Sequence, residues 1–118
     1  MRYDPFDEIR KEAHGLDLAP PQAAADNAAR GLKLRAKFGR GGTEIGVGMA
    51  QALVQRREAS PQTIKRMVSY FARHEVDKRG KNFGNEANPS AGHIAWLLWG
   101  GDEGRAWALK MRDKLRGD

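Results

Sequence analysis

The dipeptide Ser60-Pro61 and the apolar stripe behind it constrain this chain more than any other feature. Serine caps a helix by accepting a hydrogen bond from a free backbone N–H of the first turn. Proline suits the first helical position, where its missing N–H has no partner to lose. Ile64, Met67, Val68 and Phe71 then follow at i, i+3, i+4 and i+7, which lines them along one helix face and commits that face to burial. Lys65, Arg66, Ser69 and Arg73 fall on the other side. The pattern predicts an amphipathic helix from 61 to about Lys78, with one edge inside the molecule and the other in water.

The remaining punctuation is helical as well. Asp4-Pro5 opens a short helix with Asp7 and Glu8 in its first turn, Phe6, Ile9 and Ala13 on one face, and Gly15 as its stop. Ala19-Pro20-Pro21 is a stiff break. An alanine-rich helix follows from Gln22 through Phe38, weakened by Gly31 and stopped by Gly39-Arg40-Gly41-Gly42. Thr43 caps a third helix reaching about Glu58, with Ile45, Met49, Leu53 and Val54 inward and Gly46 and Gly48 as weak points. After a polar loop over 79–88, Pro89-Ser90-Ala91-Gly92 opens an apolar helix ending at Gly100-Gly101. Asp102 is placed to cap a last helix with Trp107, Leu109, Met111 and Leu115 as its apolar positions.

No stretch alternates with period two, so no strand is predicted. The expected fold is all-α: a compact single-domain bundle of four to six short helices over 1–118, with a helix-turn-helix-like central pair. It divides into an acidic N-terminal helix (1–18), basic helices (19–81) and a Trp-rich C-terminal helical pair (82–118). A chain of 118 residues is long enough for one hydrophobic core.

Charge is unevenly spread. The total is +6, but residues 1–28 carry a net −3, residues 29–81 a net +9, and residues 82–118 none. A polyanion would meet the middle segment as an attractive surface, because neutralising phosphates releases counterions. Cysteine is absent, which excludes disulfides, thiolate metal sites and cysteine nucleophiles. No apolar run approaches a membrane span, and the N-terminus does not read as a signal peptide.

Four constellations are candidates for chemistry. The segment from Leu53 to Met67 resembles a helix-turn-helix, with Ser60 at the cap and Thr63-Ile64 opening the second helix. In that arrangement Gln62, Lys65, Arg66 and Ser69 face outward near the helix N-terminus, where Gln and Arg pair with base edges and Lys and Ser hold phosphates. Arg73 shares their side, and Arg56 and Arg57 would extend the phosphate contact. Glu58 stands where such turns usually carry glycine, and an ordinary helical hairpin with a solvated polar face satisfies the same pattern. The glycine loop at 39–42 ahead of Thr43 offers free N–H groups, making Arg40 and Thr43 plausible backbone contacts; the bland reading is a helix stop and a cap. His74 and Asp77 are three apart and could share a face, but the set with Glu75, His93 and Asp102 matches no metallohydrolase spacing. No catalytic residue, metal or cofactor is expected. Trp96, Trp99 and Trp107 lie in the most apolar part of the chain, which favours core packing over base stacking.

The stretches from Ser69 to Lys78, Pro89-Ser90-Ala91-Gly92, Ile94-Ala95-Trp96 and Trp99-Gly100-Gly101-Asp102, with Ala19-Pro20-Pro21 and Arg40-Gly41-Gly42-Thr43-Glu44, resemble a small domain common in tailed bacteriophages and prophages. There it occurs as short standalone proteins and beside head-morphogenesis genes. The resemblance covers most of 19–107 and implies phage origin, in the host cytoplasm or associated with the virion, without implying a mechanism. The residues themselves predict double-stranded DNA binding by the central basic region rather than catalysis. The alternative is a phage protein that docks on another protein, as a capsid-associated component or an inhibitor of a host factor.

Overall fold

Capping explains where most helices begin. The computed structural model describes residues 17–117, so the expected N-terminal helix, but for Asp17 and Leu18, lies outside the described residues. Five α-helices and one 3-10 turn follow, with no strand among the described residues. Helix α1 runs Gln22–Phe38 and ends at Gly39, whose left-handed φ of 65° lets its N–H donate to Arg35 O at 2.8 Å. Helix α2 is Glu44–Val54, capped by Thr43 Oγ1, which accepts from the Gly46 N–H at 3.2 Å. Helix α3 is Pro61–His74, capped by Ser60 Oγ accepting from Thr63 at 3.1 Å. It passes into a 3-10 turn over Glu75–Arg79, so the helix expected to about Lys78 tightens in its last stretch.

Helix α4 is Ala91–Leu98, and Ser90 Oγ accepts from the His93 N–H at 3.0 Å. Helix α5 is Gly101–Leu115. Its cap position is Gly100, at φ 110°, with no side-chain cap. Asp102 is therefore not the cap: from the first turn its Oδ1 accepts from Trp96 Nε1 at 2.9 Å and pairs with Lys78 Nζ at 2.8 Å. These bonds hold the Asp102 carboxyl below its ordinary range, the Lys78 bond first and the Trp96 bond after it, against the opposing effect of burial.

Small residues set how the helices meet. α1 buries Ala24, Ala25, Asn27, Ala28, Gly31 and Leu34, a face that allows close approach to α2 and α4. A Cβ on Gly31 would lie 2.9 Å from Leu98 N, so the glycine that weakens α1 locally is what lets α4 reach it. α2 likewise turns Gly46, Ala50 and Leu53 inward, and a Cβ on Gly46 would stand 3.3 Å from Trp99 Nε1. This corrects the expected inward face. With the 46–50–53 stripe against the core, Ile45 (69% exposed) and Val54 (41% exposed) are rotated out.

One hydrophobic cluster joins all five helices. Leu18, Ile64, Met67, Phe71, Ile94 and Leu98 are its largest fully buried members, and Trp96, Trp99 and Trp107 belong to it, as their apolar setting predicts. Burying such side chains contributes about 1.5–3 kcal/mol each. α1 packs on α2 and α4, while α3 packs along α5. α2 and α3, although consecutive, scarcely touch. The connection between them is pinned elsewhere: Ala59 N–H donates to Leu18 O at 2.9 Å, and Arg56 Nε to Pro20 O at 2.8 Å. The all-α bundle is as expected, and its central pair is splayed open. That opening positions the site.

Candidate nucleic-acid interface

The outer edge of α3 is a continuous polar stripe. Gln62, Lys65, Arg66, Ser69 and Arg73 recur at i, i+3, i+4, i+7 and i+11, and all five are exposed. At 1.5 Å per residue the stripe runs roughly 16 Å. Its opposite edge, Ile64, Met67 and Phe71, is sealed in the core. Tyr70, which the apolar spacing overlooks, is also buried there, while Val68 is only half-buried.

The stripe forms a ridge between two clefts. The first, about 1000 Å³, separates α3 from α2 and the start of α4; Gln62, Lys65, Arg66, Ser69 and Arg73 line it with Thr43 on the facing wall. The second, about 1090 Å³, lies between α3 and the C-terminal end of α5. Lys65 and Ser69 line both, which places them on the crest.

An aromatic ladder fixes the floor of the first cleft. Tyr70 stacks on Trp99, and His74 stacks on the other side of Tyr70 with centroids 4.5 Å apart. The ladder anchors α3 to α4, so the ridge is held by packed rings rather than by a loop. The Tyr70 hydroxyl is buried without a hydrogen-bond partner among the described residues, and burial, aided by the Asp77 charge, pushes its pKa well above the usual phenol value. His74 Nδ1 and Asp77 Oδ2 are 3.2 Å apart, the contact their spacing allows. Among the described residues no three His, Asp or Glu side chains are grouped so as to hold a metal ion.

Several basic residues away from this ridge are paired with carboxylates. Arg30 pairs with Glu86 at 3.1 Å, Arg35 with Glu44 at 3.4 Å, Arg105 with Glu75 at 2.6 Å, and Lys78 with Asp102. Among the described residues, no carboxylate pairs with Lys65, Arg66 or Arg73. The positive potential of the ridge is therefore not cancelled at contact distance.

Six of the nine residues picked from sequence, Thr43, Gln62, Lys65, Arg66, Ser69 and Arg73, are brought to one cleft. Three are not. Arg56 lies in the connection before α3 at φ 50°, held by Pro20, and lines a separate shallow pocket with Asp17 and Lys110. Arg57 Nε donates to Gln55 Oε1 at 2.7 Å. Arg40 lies over the Phe38 ring and donates to Asn88 Oδ1 at 2.9 Å. The connection turns at a left-handed Arg56 rather than a glycine, and this carries the two arginines off the ridge.

The glycine loop has a packing explanation. A Cβ on Gly41 would fall 2.5 Å from Ile94 Cβ, and Gly39, Gly41 and Gly42 all have positive φ. Lys114 and Arg116, on the wall of the second cleft, were not singled out by sequence reasoning. Their place beside Lys65 follows from α5 packing along α3, a tertiary relationship that charge spacing does not encode. Comparison with protein-family models, curated proteins and solved structures finds no match to this chain.

Proposed function

We propose that this protein binds double-stranded DNA, with the polar ridge of α3 entering the major groove. Its main support is the exposure of Lys65, Arg66 and Arg73 on one edge of a core-anchored helix, where no carboxylate among the described residues pairs with them. A helix with side chains is about 10–12 Å across, and the major groove about 12 Å wide, so an exposed helical ridge is a fitting shape. Gln62 and Arg66 are the base-reading candidates, since both side chains can bond bidentately to base edges, and Lys65, Ser69, Arg73 and Thr43 hold backbone. The role is binding rather than catalysis. The phage resemblance supports a place in the host cytoplasm or on the virion.

A salt series on a mixed-sequence duplex tests the reading. Log affinity is expected to fall linearly with log salt at about −0.9 per neutralised phosphate, and Lys65→Ala/Arg66→Ala to flatten that slope by about one, through the phosphate that Lys65 holds, with a further loss of about 1–3 kcal/mol from the base contact of Arg66. No affinity at low salt, or an unchanged slope in the double variant, would overturn it.

The second reading, docking on a phage or host protein, is supported by one feature. Ile45, 69% exposed, lines the first cleft beside Tyr70 and Trp99, and an apolar side chain on a cleft wall suits a protein surface. Retention of a protein partner from nuclease-treated host lysate, lost on Ile45→Asp, would favour it.

A further inference from the structure

The clefts on either side of α3 differ in origin but share a charge sign. On one side are Thr43 and Arg73. On the other, the final turn of α5 brings Arg112, Lys114 and Arg116 to face Lys65 across the second cleft, with Val68 and Leu115 among its apolar lining. Arg112 is occupied by Asp113 at 3.1 Å. Lys114 and Arg116 are exposed and, among the described residues, have no carboxylate partner. Both clefts open beside the same crest residues, Lys65 and Ser69.

A duplex has a matching layout. A helix in the major groove has one sugar–phosphate backbone on each side of it, and a single strand offers only one. We infer that the two clefts are paired backbone tracks, and that Lys114 and Arg116 form a second phosphate clamp gripping the strand opposite the one held by Thr43 and Arg73. This inference rests on the proposed DNA-binding reading and adds the residues that make the site a duplex reader. Charge complementarity selects a polyanion over an apolar occupant: Lys65, Arg112, Lys114 and Arg116 line the cleft, and among the described residues no carboxylate lines it. The α5 terminus is also well anchored, because Trp107, Ala108 and Met111 lie in the core one to three turns before it.

The test compares the full chain with Lys114→Ala/Arg116→Ala and with a control of equal charge loss, Lys33→Ala/Lys37→Ala, on the exposed side of α1. Each is titrated with a mixed-sequence duplex and with one of its single strands over a salt series, after thermal unfolding confirms an unchanged midpoint. The clamp variant is expected to lose about two from its duplex salt slope and roughly tenfold in duplex affinity at about 0.1 M salt. Its single-strand affinity should change little, so the duplex preference collapses. The control should keep that preference. A clamp variant with the wild-type slope, or a control that loses duplex preference equally, overturns the clamp while leaving the α3 reading intact. A wild-type chain that ignores the duplex at low salt overturns both. If the clamp variant fails to fold, Lys114→Gln/Arg116→Gln carries the same comparison.

Discussion

Tyr70 and Trp99 lie face to face, with ring centroids 4.4 Å apart and planes within 5° of parallel. Tyr70 belongs to the helix that carries the basic ridge and Trp99 to the end of α4, so this contact ties the ridge to α4, while the longer packing of α3 along α5 holds its other side. The stacked rings do the holding, and the Tyr70 hydroxyl, buried without a partner among the described residues, does not. Tyr70→Phe is therefore expected to be neutral or stabilising, since a buried polar group without a partner costs about 1–3 kcal/mol. Tyr70→Ala removes the ring and should destabilise by about 3–5 kcal/mol, as large-to-small core changes do. Urea unfolding of both variants checks this; a Tyr70→Phe loss as large as that of Tyr70→Ala would contradict it.

Two glycines in helices make opposite demands. At Gly48 an added Cβ meets nothing within 4 Å, whereas at Gly31 it would press on the backbone and side chain of α4. Gly48→Ala should stabilise by up to about 1 kcal/mol through helix propensity alone. Gly31→Ala gains the same propensity but forces α1 and α4 apart, with a net loss of about 1–3 kcal/mol expected from overpacking. Thermal midpoints moving in opposite directions bear this out. Equal shifts of the same sign do not.

Much of this architecture is legible in the sequence because caps and short-range periodicity are local. Thr43, Ser60 and Ser90 each stand one residue before a helix and accept the expected N–H bond, and the 64–67–71 stripe is buried as its spacing requires. Facing direction in α2 is less legible. Ile45 and Val54 look inward by hydrophobicity, yet the helix presents Gly46, Ala50 and Leu53 to the core, and at Gly46 the Trp99 indole leaves little room for a side chain. The site divides in the same way. The ridge residues follow from one helix, while Arg56 and Arg57 are diverted by a turn whose left-handed residue is Arg56 itself, and Lys114 and Arg116 join only through packing of α5 on α3.

His93 gives the protein an acid-side liability. Its ring is buried at the start of α4, edge-on to Phe83 with centroids 5.0 Å apart, and neither nitrogen has a hydrogen-bond partner among the described residues. Burial lowers its pKa from the ordinary 6.5, more than the nearby Glu86 raises it, and Arg30 pushes it further down. The unfolded chain thus takes a proton that the folded protein refuses. Stability from this group is complete above 6.5 and is lost as the pH falls from there toward the lowered folded value. Urea midpoints measured from about pH 8 to 5 should decline on the acid side, and His93→Leu should flatten that decline. A variant profile parallel to the wild type would assign the acid loss to other groups.

Residue-resolved NMR during titration with a mixed-sequence duplex would show whether DNA meets the outer edge of α3, as proposed. The largest amide shift changes are expected at Gln62, Lys65, Arg66, Ser69 and Arg73, with the exposed side of α1 at Lys33 and Lys37 little affected. Changes centred on α1, or a spectrum that the duplex leaves untouched at low salt, would contradict it.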